Sequence, residues 1–215
     1  MPGNPDAWVN DRFQRDQIYR GIVDADEDDL ILVSDLDEII RPAAIEYMRN
    51  SDQSLFALRM PLFNFKFNYM RTTPCQYDVW AMAAKRSVLN DITPDSLRNM
   101  RFNFMGSPYA YSNSGCQVIE HSGWHFGYMG DNEYLRDKAQ SFSHQEVNTP
   151  EFLNNIDIEA SIRERKEWDR KQSNQYEIVD LTEYFPKTVK QYPGFILDNT
   201  GIDPLAFLPK YPYNK

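Results

Sequence analysis

Hydrophobic positions along the chain follow two rhythms, one helical and one extended. Over residues 11–23 (DRFQRDQIYRGIV) Phe13, Ile18 and Ile22 recur among charged residues, which predicts a helix with one apolar face. The acidic run 24–29 (DADEDD) ends it and reads as a solvated connection. Residues 30–34 (LILVS) are a short unbroken apolar run, suited to a strand covered on both faces. That run stops abruptly at Asp35-Leu36-Asp37-Glu38. Pro42 then predicts the start of a helix over 43–49, because a first-turn position has no use for an N–H. Residues 55–60 and 79–84 read as strands. Between them, 63–69 (FNFKFNY) alternate aromatic and polar residues, the mark of a half-buried strand. Residues 91–105 read as loop and short helix, and 117–128 as a strand broken at Gly123. Asp131 or Asn132 can cap a helix over 133–141, and further helices are expected over 150–155 and 158–169. From 172 to 215 Tyr and Pro recur with no sustained period, which predicts an extended tail. The expected architecture is a mixed α/β sheet flanked by helices, one domain over 1–171, with the tail of 172–215 packed on it.

Composition narrows the function. At 215 residues, 41% hydrophobic and 26% charged, the chain is an ordinary globular one, long enough for a real core. Its net charge of -9 argues against a nucleic-acid binder or an anionic membrane surface. An anionic ligand would need a local cation, such as a metal ion. No apolar run reaches the ~18–20 residues that span a bilayer, and MPGNPDAWVN lacks the basic start and apolar centre of a signal peptide. Cys75 and Cys116 are the only cysteines, too few for a disulfide framework. The expectation is a cytoplasmic protein with reduced thiols. Aromatics make up 14% of the chain; most are expected in the core, and some could stack on a sugar ring.

The segment LILVSDLDEI is the most informative. A buried strand ending in Asp35, Asp37 and Glu38 puts three carboxylates at the carboxyl edge of a sheet, where open α/β sheets bind ligands. Asp35 and Asp37, two apart, share a face in extended geometry. Their repulsion asks for a cation, and Mg²⁺ or Mn²⁺ takes oxygen ligands while leaving positions for phosphate. A bland alternative is an acidic turn ahead of the Pro42 helix. Two enzyme classes carry Asp-x-Asp after a buried strand: phosphohydrolases in which the first Asp is a nucleophile, and nucleotide-sugar transferases in which the pair serves a metal and a diphosphate. The Glu38-Ile39-Ile40 continuation and the preceding helix favour the second.

Three blocks carry a resemblance: RFQRDQIYRG, DDLILVSDLDEIIRP, and GWHFGYMGDNEYLRDKAQSFSHQE (123–146). In this order the stretch 12–146 resembles glycosyltransferase family 17, the β-1,4-mannosyl-glycoprotein 4-β-N-acetylglucosaminyltransferase type. The resemblance implies a GT-A-like fold, a nucleotide-sugar donor such as UDP-GlcNAc, a glycan acceptor, Mn²⁺ or Mg²⁺, and inversion at the anomeric carbon. It casts Asp35 and Asp37 as the metal and diphosphate carboxylates, His125 as a third metal ligand or a diphosphate contact, Glu38 as support, and Trp124 as a sugar or core wall. It also implies that the family's usual strand-helix-strand region before the first block is missing, which raises a non-catalytic sugar-binding remnant as an alternative.

An inverting transfer needs a base for the acceptor hydroxyl. Asp131 and Glu133, at a helix start just after the His125 block, are the candidates, although acids in a first turn also simply favour the helix dipole. Asp78 is an outside choice. Arg12 and Arg15 could reach the nucleotide or pair with nearby acids; Lys138 could approach the diphosphate. His144 could cap or pack against a helix, and His121 reads as structural. Asn64, Lys66 and Asn68, on the polar face of the alternating strand, could meet an acceptor sugar.

Overall fold

The structure, a computed structural model, describes residues 5–73, 77–104, 115–167, 175–198 and 200–207. In chain order its elements are α1 (Pro5–Asp16), α2 (Ile18–Gly21), β1 (Leu30–Val33), β2 (Glu38–Ile40), α3 (Pro42–Arg49), β3 (Leu55–Asn64), β4 (Tyr69–Thr73), β5 (Tyr77–Lys85), α4 (Pro94–Asn99), β6 (Gln117–Ile119), β7 (Gly123–Gly127), α5 (Asn132–Ser141), α6 (Pro150–Asn154), α7 (Ile158–Glu164) and β8 (Gln175–Ile178). The class is mixed α/β, as the alternation of rhythms predicts. The chain forms two compact units, one of residues 10–61 and 77–125, the other of 1–9, 62–76 and 126–215.

In the first unit β5 lies antiparallel to β1, with Val33 opposite Met82, and antiparallel to β3, with Phe56 opposite Ala83. β6 runs parallel to β3, Ala57 facing Val118, so the sheet is mixed. Ile31, Val33, Ala57, Val79, Met82, Leu97 and Phe104 close a core on which Ile18, Tyr19 and Ile22 also pack. Pro94 starts α4, and the Thr93 side chain accepts the Ser96 N–H to cap it. α4 rests on β5 and β1.

In the second unit the end of β3 pairs with β4, Phe63 opposite Met70, and β4 pairs with β8. Phe65, Tyr69, Leu135, Ile156, Ile158 and Tyr176 form its core. Tyr69 and Tyr176 stack with ring centroids 4.7 Å apart. Asp131 caps α5 through Tyr134 N–H, and Asn132 Oδ1 accepts from Ile158 N–H to tie α5 to the start of α7.

Four expectations are corrected. The helix of 11–23 is two helices: Gln17 N–H divides between the carbonyls of Phe13 and Gln14, the phase changes, and Phe13 is left 67% exposed while Ile18 and Ile22 pack inward. The strand over 63–69 is a hairpin. Phe65 takes a left-handed φ of 63°, and the chain reverses between β3 and β4. Its polar residues are turned to internal work: Asn64 Nδ2 donates to Tyr176 Oη, Asn68 bonds Val179 and Leu197, and Lys66 Nζ donates to the Gly194 carbonyl. The break expected at Gly123 in 117–128 falls earlier, at 120–122, where His121 at φ 48° joins β6 to β7, which starts at Gly123. The helix of 158–169 ends at Glu164 because Arg165 turns left-handed, φ 57°. Of the stretch from 172 on, the described residues contribute β8 and then pass into short 3-10 turns.

Candidate active site

The acidic motif sits where β1 gives way to β2, in the first unit. The turn closes on itself: Glu38 N–H donates to the Asp35 carbonyl at 3.1 Å, and Asp35 N–H donates to Glu38 Oε2 at 2.9 Å. Leu36 at its tip is 99% exposed. The antiparallel β2–β7 ladder then sets Glu38 opposite His125, Ile39 opposite Trp124 and Ile40 opposite Gly123. Glycine is required at 123, because a Cβ there would collide with the Ile39 carbonyl.

Arg98 on α4 enters this turn from below. Its side chain is fully buried, and its Nη2 donates to Asp35 Oδ2 at 2.6 Å and to Glu38 Oε1 at 2.5 Å. Burial raises the Glu38 carboxyl above the ordinary range, opposed by the Arg98 charge. Arg15 on α1 pairs with Asp11 at 2.8 Å and Asp95 at 3.2 Å, and its Nη2 lies 3.9 Å from Asp35 Oδ1. Arg101 lies in the same field; burial, then the neighbouring Arg98, lowers its guanidinium to about 10 while Glu38 and Asp35 act in the opposite sense. Asp37 turns to a different partner. Its Oδ1 is 3.5 Å from His125 Nε2, and the imidazole packs edge-on to Trp80 at 4.3 Å.

Compared with known proteins, the sequence matches glycosyltransferase family 17 over residues 2–201. The chain belongs to glycosyltransferase family 17. No curated protein and no solved structure matches it. Family membership places it among the glycosyltransferases and implies a nucleotide-sugar donor and a glycan acceptor. Among the described residues, no helix is long and apolar enough to cross a membrane.

Of the residues singled out in this family 17 sequence, the structure brings Arg15, Asp35 and Glu38 together around Arg98, and Asp37 to His125. Arg12 stands at the rim, its Nε 3.7 Å from Asp95. Trp124 is buried under the Arg41 guanidinium, 4.9 Å from its ring centroid. Asp78 is buried in β5. In the second unit, Asp131 is the cap of α5, Glu133 is exposed in the first turn, Lys138 lies over the Tyr128 ring, and His144 pairs with Glu146 at 2.6 Å.

Arg98 was not among the sequence candidates. Its carboxylate partners lie 60 and 63 residues away, and SLRNMRFN shows no local motif. The one available signal was a question: an acidic strand end needs a cation, and this chain carries arginines.

The donor set tests whether a metal fits. An ion bound at about 2.1 Å holds neighbouring ligands about 3 Å apart, so the 3.5 Å between Asp37 and His125 needs only a small closure. Both side chains are partly exposed. The pair supplies an oxygen, which suits Mn²⁺ or Mg²⁺, and an imidazole nitrogen, which suits Mn²⁺ better than the harder Mg²⁺, with water and phosphate filling the rest. Asp35 is held by arginine, and no group of three His, Cys, Asp or Glu is gathered among the described residues.

Proposed function

We propose that this family 17 protein is an inverting GT-A-type transferase that moves a sugar, N-acetylglucosamine from UDP-GlcNAc, to a glycan hydroxyl. The Asp37–His125 pair is the observation that carries the metal part of this reading. These two residues would hold Mn²⁺ or Mg²⁺. When bound, the ion supplies a positive centre for the charge that develops on the departing diphosphate.

The chain's own residues do the rest. Arg98 offsets one of the two negative charges of Asp35 and Glu38, so the acidic turn repels an incoming diphosphate less than three free carboxylates would. Arg15 adds a positive group 3.9 Å from Asp35. The general base is assigned to Glu133. Of the two sequence candidates, Asp131 already has Oδ1 on the α5 cap. A phosphohydrolase needs Asp35 as a nucleophile, whereas here Asp35 accepts from Arg98 and the family is one of glycosyltransferases.

Calorimetric titration of UDP and UDP-GlcNAc, with and without Mn²⁺, beside Asp37→Ala tests the reading. Mn²⁺-dependent binding that disappears in the variant is expected. Binding that ignores both the ion and the substitution overturns the metal site. Glu133→Gln is expected to keep donor binding while losing about 10²–10⁴-fold in transfer rate.

A further inference from the structure

We propose that Arg98 is a positioning residue for the Asp37–His125 pair, an internal cation that shapes the acidic turn before any metal arrives. The inference rests on the metal reading above. It starts from two carboxylates, Asp35 and Glu38, drawn to one guanidinium nitrogen. Glu38 and Arg98 have fully buried side chains, and a charge taken from water in this way is stable only when paired and hydrogen-bonded. Arg98 therefore decides whether this turn can exist in its present shape.

The clamp reaches Asp37 through the chain. Asp37 is bracketed by Asp35 and Glu38, both held by Arg98, and those two residues are joined by two hydrogen bonds across the turn. On the far side, ladder register fixes Glu38 opposite His125. So one cation holds the turn that presents the Asp37 carboxylate, and the Glu38 it pairs with is the residue the ladder sets opposite the imidazole. A second observation isolates this role from packing. Arg98 Nε and Nη1 are buried with no hydrogen-bond partner among the described residues, so the guanidinium is retained there at a cost in stability. An apolar residue of similar volume would fill the space under β1 and β5 without that cost. Only the bond to the two carboxylates explains an arginine.

The test uses Mn²⁺ alone as probe, titrated into wild type, Arg98→Lys, Asp37→Ala and Leu97→Ala, with amide hydrogen exchange read at Asp35 and Glu38. Lysine keeps the charge but falls short of the reach needed to hold both carboxylates. Arg98→Lys is expected to weaken Mn²⁺ binding about 10- to 100-fold, the range for residues that orient metal ligands, and to speed exchange at the Asp35 amide. Leu97→Ala, which opens the core beside Arg98 on the same helix, is expected to lower the melting temperature with Mn²⁺ affinity unchanged. Wild-type affinity in Arg98→Lys, or an equal loss in Leu97→Ala, overturns the positioning role while leaving the metal site intact. If wild type itself does not bind Mn²⁺, the metal reading is overturned. Amide exchange then judges the clamp, and unchanged exchange in Arg98→Lys refutes it too. Should Arg98→Lys not fold, Glu38→Gln, which removes one charge from the clamp, takes its place with the same expected directions.

Discussion

Glu38 shows how little of a motif residue's role follows from its type. It is an acid beside two others, yet its oxygens face Arg98 and the Asp35 amide, inside the protein. Glu38→Ala leaves a buried guanidinium short of a partner and is expected to cost about 3–5 kcal/mol in urea denaturation. Asp35→Asn removes a half-exposed partner, and solvent screening limits its loss to about 1 kcal/mol. Equal losses for the two would mean that burial does not separate them. Cys116 makes a different prediction. Burial pushes its thiol up to about 12, against about 9 when unfolded. Between those values the unfolded chain binds fewer protons than the folded one, so stability falls as pH rises above about 9. Urea midpoints across that range should fall less steeply for Cys116→Ala than for wild type.

Elements that the sequence made legible are those whose signal is local. The apolar run of β1, the proline that opens α3 and the aspartate before α5 each act within a few residues, and each element forms where expected. The hairpin between β3 and β4 failed that test. Alternation at 63–69 looked like a strand with one wet face, but Asn64 and Asn68 find partners 112 and 111 residues away. No window of sequence reports a hydrogen bond that distant. Tyr176→Phe is accordingly expected to destabilise by about 1–3 kcal/mol, because it leaves the Asn64 amide buried without its acceptor; a neutral effect in thermal melts would show that water replaces it. The β2–β7 ladder carries the other prediction at this scale. Gly123→Ala must displace the Ile39 carbonyl, so it should weaken metal binding and stability together, measured by titration and melting on the same sample.

Across the whole molecule, the net charge of -9 works against an anionic donor. UDP offered without a divalent ion should therefore bind more tightly as salt shortens the screening length from about 30 Å to about 8 Å, whereas the metal complex, nearly neutral, should hardly respond. Calorimetry at two ionic strengths decides it. The need for a cation was readable from composition and motif; that arginine meets part of it was not, because the clamp joins segments far apart in the chain. The same separation bears on synthesis. Asp35 and Glu38 leave the ribosome 63 and 60 residues ahead of the arginine that holds them, and neither compact unit is a continuous stretch of chain. The nascent acidic turn must wait, hydrated, for its counter-charge, and no single cut can release either unit for expression on its own.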